Sequence, residues 1–401
     1  MTIETSEIDA VRALLAAKPR PVGWAERRAR LDEIGAVWPV EGDVFLETAD
    51  VDGVPGEWSL VPGSDADCVL MFFHGGGYCS GSIVSHRRLV TEAGRCAGMR
   101  TLAVGYRLAP EHPFPAAIED ALRAWRWLRG QGVDAGHIVV GGDSAGGGLT
   151  LALSGELRRA GAAAPACLWL VSPWVDLTMS GATLATKSEV DPLIHKEYLE
   201  ELASAYLPPG AARKDPRVSP LFADLSGLPP TLIQVGSAET LLSDAGRLAE
   251  RVGAADSPVT LEVWPNMIHA WMLWERAPRA GTPGAHAGRG VHAQVHVKVD
   301  RRSREEWRSV PGPSRSETMV AARANFASGS KTSQAKRSDE SRMNLRIVEA
   351  FPRALLRYAA VRSATTTRIS PLGRLELALL QWPPLRRAAH PSRPVRSRSR
   401  G

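Results

Sequence analysis

Two short runs place a serine and several glycines where nucleophilic acyl transfer would need them. The first is His74-Gly75-Gly76-Gly77-Tyr78, and the second is Gly142-Asp143-Ser144-Ala145-Gly146. The second has the form G-x-S-x-G, in which the flanking glycines permit a tight strand-to-helix turn that exposes the hydroxyl. The pattern therefore predicts Ser144 as a nucleophile, rather than a serine that only caps the helix starting at Ala145.

A serine nucleophile needs a base that takes its proton and an acid that orients the base. Two histidines, His195 and His269, lie between Ser144 and the basic end of the chain. We predict His269, because it follows an apolar run by a short loop, where ligands meet a parallel sheet. His195 lies in a polar insertion. For the acid, a position in a loop just after an apolar run favours Glu239 over three other carboxylates, Asp143, Asp176 and Asp244.

An oxyanion formed during acyl transfer would be held by backbone N–H groups. The residue after the nucleophile, Ala145, offers one, and the glycine loop at residues 74–78 offers the others. Three aromatic residues are candidates for the acyl or alcohol pocket, with ordinary burial as the alternative: Tyr78, Trp174 and Trp271. No motif indicates a metal, a dinucleotide or a phosphate cradle, so we expect no cofactor.

The elements that would position these residues are apolar runs that alternate with amphipathic helices, which favours a mainly parallel α/β sheet covered on both faces. Strands are predicted at 44–48, 58–61, 69–73, 138–140, 168–171, 232–235 and 261–263, and residues 102–106 form another short apolar run. Helices are predicted within 8–36, with a break at Pro19 and Pro21, and at 117–128, 145–159, 196–206 and 242–252. Residues 1–40 and 178–216 are predicted to form a lid above the sheet.

Charge divides the 401-residue chain into two parts. Residues 275–401 hold 26 Lys/Arg and 9 Asp/Glu, whereas residues 1–274 hold 23 basic and 34 acidic residues. The basic part lacks the interleaved aromatic residues of nucleic-acid-binding modules, so we expect no nucleic-acid partner. We also expect no signal peptide and no membrane span. The four cysteines show no metal-like spacing and fit a reducing cytoplasm; a homodimer is left open.

Over residues 5–274 the chain resembles the hormone-sensitive lipase family of bacterial α/β-hydrolase esterases. The likeness rests on residues 74–78, 106–113 and 142–147, with Ser172-Pro173-Trp174 and Asp191-Pro192 in support. Residues 219–221 and 236–242 resemble the branch of monoterpene ε-lactone hydrolases and small acetyl esterases. The resemblance implies a triad of Ser144, Glu239 and His269, and oxyanion donors at Gly76, Gly77 and Ala145. Many relatives carry Asp-Pro-Leu where this chain has Glu239-Thr240-Leu241.

The resemblance ends soon after Trp274, where relatives have a closing helix. We therefore predict an α/β-hydrolase domain at 1–280 and a disordered basic extension at 281–401, whose sequence looks like readthrough or an unrelated reading frame. The predicted function is hydrolysis of small carboxylic esters or lactones through an acyl-enzyme. An amidase using the same triad is an alternative, and so is a non-catalytic ligand-binding module on the same fold.

Overall fold

The core of the protein is an eight-stranded sheet. A computed structural model describes residues 7–16, 20–37 and 39–274. Its strands are β1 (Phe45–Val51), β2 (Val54–Leu60), β3 (Asp65–Phe73), β4 (Met99–Val104), β5 (Ile138–Asp143), β6 (Cys167–Val171), β7 (Thr231–Gly236) and β8 (Val259–Trp264).

The strand order is β1-β2-β4-β3-β5-β6-β7-β8. Strand β2 runs antiparallel to β1 and β4, and the pairings from β4 to β8 are all parallel. The carboxyl ends of β3, β5, β6, β7 and β8 consequently lie at one edge of the sheet. Loops that follow these strands can meet there, as ligand-binding loops do in open α/β sheets.

Eight helices connect and cover the strands in the described part of the chain. They are α1 (Glu7–Ala16), α2 (Trp24–Ala36), α3 (Ile83–Ala97), α4 (Ala116–Gly130), α5 (Ala145–Arg159), α6 (Thr183–Thr186), α7 (Lys196–Tyr206) and α8 (Leu242–Ala254). Alternate strand residues such as Met71, Val140 and Ile233 form one apolar core with α4, α5 and α8. Helix α3 covers the other face, where a Cβ on Gly94 would lie 2.4 Å from the Thr101 side chain.

The predicted α/β class, with a mainly parallel sheet between helices, is confirmed. Every predicted strand is present, and the predicted helical stretch at 8–36 is divided into α1 and α2. Helix α3 was not predicted. None of the helices at residues 7–16, 20–37 and 39–274 is long and apolar enough to cross a membrane.

The two predicted lid segments contact each other and the glycine loop. Arg27 Nη2 of α2 lies 2.9 Å from Glu201 Oε1 of α7, and Arg28 Nε donates to Cys79 O at 2.9 Å. A Cβ on Gly77 would lie 2.4 Å from Leu202 Cδ1 of α7. The predicted boundary at 280 and the basic extension at 281–401 lie outside the described residues.

Candidate active site

Ser144 lies on a strained turn between β5 and α5. Its backbone has φ 52° and ψ −119°, a conformation that costs a residue with a side chain about 1–3 kcal/mol. A Cβ on Gly142 would lie 2.4 Å from Gly146 C, and one on Gly146 would lie 2.0 Å from Phe73 O. Both glycines of the G-x-S-x-G run are therefore required by close backbone approach.

The glycine loop follows β3 and lies beside this turn. Gly75 N donates to Asp143 Oδ1 at 2.8 Å, which attaches the loop to the residue before Ser144. Gly76 has φ +109°, and a Cβ there would lie 2.2 Å from Ser80 O. The Tyr106 hydroxyl donates to His74 O at 2.7 Å. Glycine is thus needed for the loop's conformation, and the start of the loop is held by Asp143 and Tyr106.

The predicted acid and base are paired at the same edge of the sheet. Glu239 lies in the loop between β7 and α8, and His269 follows β8. His269 Nδ1 lies 2.8 Å from Glu239 Oε2, and both residues are buried. The other carboxylate oxygen of Glu239 accepts hydrogen bonds from Ser172 Oγ at 2.9 Å and Gly236 N at 2.7 Å.

Burial and pairing shift the pKa values of both members. Burial raises the pKa of Glu239 above its usual range, against hydrogen bonds from His269 and Gly236. Burial alone would lower the pKa of His269, but the hydrogen bond and charge of Glu239 outweigh it and the pKa is raised. With Glu239 ionised, this hydrogen bond places the proton of the neutral imidazole on Nδ1. The other ring nitrogen, Nε2, is then left as an acceptor.

The alternative carboxylates hold backbone and other side chains. Asp143 accepts the Gly75 N–H. Asp176 accepts from the Thr178 and Ser180 hydroxyls and pairs with Arg247. Asp244 accepts the backbone N–H groups of Val175 and Asp176 at 3.1 Å, and its burial raises its pKa to about 7. His195, the alternative base, is at the N-terminus of α7.

Ser172 was not assigned a role by sequence reasoning, although it bridges the acid and the base loops. Its hydroxyl donates to Glu239 Oε1 and accepts the Ala270 N–H at 3.1 Å. Ser172 itself has φ 46° and follows β6 directly. The only signal in the sequence was the run Ser172-Pro173-Trp174 after a strand. This run does not indicate that Ser172 would contact Glu239 and Ala270, which are 67 and 98 residues away.

The three aromatic pocket candidates fall into two clusters. Tyr78 stacks on Tyr206 of α7 with ring centroids 4.0 Å apart, and Trp174 lies 6.2 Å from Tyr78. Trp271 instead lies 5.9 Å from Trp264, beyond β8. Their role in lining a pocket stays a prediction. Within the described residues, no three His, Cys, Asp or Glu side chains converge as metal ligands.

Comparison with known proteins identifies the fold and the relatives of this chain. A family profile for the alpha/beta hydrolase fold matches residues 70–273. An acetyl-hydrolase from Streptomyces hygroscopicus is 40% identical over 63% of this chain and 82% of its own length. An esterase from Acinetobacter venetianus is 38% identical over 61% of this chain and 82% of its own length.

Solved structures give the same result. The crystal structure of an esterase from the bacterial hormone-sensitive lipase family matches with a TM-score of 0.66 and 41% identity. The match covers 68% of this chain and 92% of that chain. The chain therefore belongs to the hormone-sensitive lipase family of α/β-hydrolase esterases.

Proposed function

We propose that this protein hydrolyses small carboxylic esters through an acyl-enzyme, with Ser144, His269 and Glu239 as its triad. The observation that carries the proposal is the 2.8 Å hydrogen bond between His269 Nδ1 and Glu239 Oε2. It lies at the strand edge that also bears Ser144. A buried carboxylate bound to Nδ1 selects the imidazole tautomer whose Nε2 accepts a proton.

In the first half-reaction, Ser144 Oγ attacks the ester carbonyl carbon and gives its proton to His269 Nε2. The carbonyl π electrons move to oxygen, and the backbone N–H groups of Gly76, Gly77 and Ala145 hold the resulting oxyanion. Helix α5 begins at Ala145, and the first N–H groups of a helix have no intrahelical partner. The oxyanion then collapses, the C–O bond to the alcohol breaks, and His269 protonates the leaving oxygen.

In the second half-reaction, His269 takes a proton from water, and the hydroxide adds to the acyl carbonyl. Collapse of this second tetrahedral intermediate breaks the bond to Ser144 Oγ, which recovers its proton from His269. The carboxylic acid product leaves, and the enzyme returns to its starting state. Glu239 stabilises the imidazolium in both halves without itself taking the proton.

Small esters are favoured as substrates. Tyr78, Trp174 and Tyr206 are fully or almost fully buried in the cluster next to the glycine loop, and Leu202 lies over Gly77. This packing beside the glycine loop supports a short acyl chain. The names of the relatives from Streptomyces and from Pseudomonas putida, an acetyl-hydrolase and an ethyl acetate hydrolase, support the same size class. Hydrolysis of lactones and a cytoplasmic location stay predictions, and a homodimer stays an open possibility.

The test is a burst experiment with p-nitrophenyl acetate. An acyl-enzyme releases one equivalent of p-nitrophenol per active site before the steady state when deacylation is slower than acylation. Ser144→Ala should remove both burst and turnover while the protein stays folded. The matched control is Ser154→Ala, which removes another buried serine hydroxyl, in the helix that follows Ser144, and should leave turnover unchanged. Near-normal turnover in folded Ser144→Ala would overturn the proposal.

A further inference from the structure

Asp191 is a buried carboxylate in the lid segment between α6 and α7. It is 1% exposed, and both of its oxygens are occupied. Oδ1 accepts the backbone N–H groups of Leu193 and Ile194 at 2.9 and 3.0 Å. These bonds fix the turn that leads into α7, because a carboxylate that accepts backbone N–H groups two and three residues ahead holds the chain in a defined turn.

The second oxygen of Asp191 binds the loop that carries the proposed acid. Oδ2 accepts the backbone N–H of Thr240 at 2.8 Å and lies 3.1 Å from Thr240 Oγ1. The same hydroxyl lies 3.2 Å from Ile194 O. Thr240 directly follows Glu239, so all three contacts hold the residue next to the acid and join it to the lid segment.

The lid helix that begins just after this turn reaches the proposed oxyanion loop. Leu202 lies over Gly77, and Tyr206 stacks on Tyr78 at 4.0 Å. One end of the segment is therefore held at the acid loop through Asp191, and the other packs on the glycine loop. A shift at Asp191 would be transmitted to both.

We propose that Asp191 is a positioning residue. It fixes Glu239 against His269 and holds the lid helix α7 in a fixed position relative to the loop that carries Glu239. This inference rests on the proposed function, since it takes Glu239 and His269 as the acid and base. Its physical basis is that hydrogen bonds to a neighbouring backbone restrict where a catalytic side chain can point. Misplacement by about 1 Å can cost about 100-fold in rate.

The charge of Asp191 supplies a second, separable effect. The carboxylates that raise the pKa of His269 are Glu239, Asp191 and Asp143, in that order. Asp191 also raises the pKa of Glu239. The cation that faces Asp191 is Arg20, whose guanidinium donates to Leu193 O. Removing the negative charge of Asp191 should therefore lower the pKa of His269, whereas a residue with a purely structural role would leave that pKa in place.

The experiment is Asp191→Asn, followed by two measurements on the full chain. NMR titration of protein labelled with 13C-histidine gives the pKa of His269, assigned by comparison with His269→Gln. The pH profile of kcat/KM for p-nitrophenyl acetate gives the activity. We expect a lower His269 pKa, an acid limb moved to lower pH, and kcat reduced about tenfold or more with a smaller change in KM.

Asp176→Asn is the matched control, because Asp176 is also a buried, hydrogen-bonded carboxylate at this edge of the sheet. It should leave the His269 pKa and kcat unchanged. If Asp191→Asn folds poorly, Thr240→Val removes both hydroxyl contacts, to Asp191 Oδ2 and to Ile194 O, and keeps the backbone bond to Asp191. It should reduce kcat severalfold. An unchanged His269 pKa in folded Asp191→Asn, or wild-type kcat in Thr240→Val, would overturn the inference. The NMR result stands even if the wild type hydrolyses no ester, an outcome that would contradict only the proposed function.

Discussion

Replacing Glu239 by glutamine isolates the role of the proposed acid, because the two side chains have the same shape. Oε1 of Glu239 accepts hydrogen bonds from two donors, Ser172 Oγ and Gly236 N. The glutamine oxygen must take this position, since an amide NH2 there would face donors. Its NH2 group then points at His269 Nδ1 and donates to it.

That donation reverses the imidazole tautomer. Nδ1 becomes the acceptor and Nε2 carries the hydrogen, so Nε2 cannot take the proton of Ser144. An amide in place of the acid in a serine triad lowers kcat about 10⁴-fold, which corresponds to about 5.4 kcal/mol in the activation free energy at 1.36 kcal/mol per factor of ten. We expect a loss of that order in kcat, with a much smaller change in KM.

Stability should hardly change in the same variant. Ser172, Gly236 and His269 each keep a hydrogen-bond partner on the glutamine, so no buried polar group is orphaned, and the melting temperature should stay within a few degrees. Asp244→Asn is the matched control, five residues further on, and should retain kcat within about twofold. Steady-state kinetics and thermal melts measure both quantities. If folded Glu239→Gln kept kcat within tenfold of wild type, or lost activity through KM alone, Glu239 would not be the acid.

Two further predictions concern the substrate and the pH dependence of stability. Tyr78, Trp174 and Tyr206 crowd the region beside the glycine loop. The value of kcat/KM for p-nitrophenyl esters should therefore be highest for acetate or butyrate and should fall for octanoate and longer chains. An optimum at long chains would contradict this prediction. Asp244 has a pKa of about 7 when folded against an ordinary value of 3.8. Between pH 3.8 and about 7 the folded state therefore holds a proton that the unfolded state has lost. The contribution of this group to the free energy of unfolding is full below pH 3.8 and is lost as pH rises through about 7. Asp244→Asn should raise the melting temperature at pH 8 and much less at pH 4, and an equal change at both would refute the assignment.

The elements that the sequence predicted correctly are those whose pattern reflects steric need or burial. The glycines around Ser144 cannot be replaced without backbone clashes, so the motif and the turn go together. Strands β3, β5, β6 and β7 are largely or wholly buried, and continuous apolar runs are typical of such strands. In these cases a short stretch of neighbouring residues is enough to predict the turn or the strand.

Helix α3 was missed because its buried face is unusually polar. His86, Arg88, Thr91 and Glu92 are all buried there, so apolar residues make up only part of the surface that this helix buries. Its ends do carry local signals: Ser82 and Ser85 form a capping box, and Gly98 ends the helix in the left-handed conformation. The predicted start of β2, at residue 58, lies four residues after its observed start at Val54. The missed part contains Pro55 and Gly56, residues that weaken a strand assignment.

The contacts that complete the candidate site could not be predicted in the same way, because they join distant loops through strained backbone. Among the described residues, eight non-glycine residues have positive φ, and four of them are in or beside this site: Tyr78, Ser144, Ser172 and Ala270. Such conformations persist only where surrounding structure holds them. Each of these four residues has a backbone hydrogen bond to another segment: Tyr78 O with Ala109 N, Ser144 N with Val171 O, Ser172 N with Gln234 O, and Ala270 N with Ser172 Oγ.

Neighbouring loops at this edge therefore hold one another in place. Ser172 shows the consequence, since its N–H is fixed by β7 while its hydroxyl joins Glu239 to Ala270, the residue after His269. Asp191 adds the segment before α7 to the same set through its hydrogen bond with Thr240. Groups that share a hydrogen-bond network give non-additive mutational effects. The losses from Asp191→Asn and Glu239→Gln should consequently combine to less than their sum in activation free energy, because once the imidazole is misoriented the positioning of its partner no longer matters.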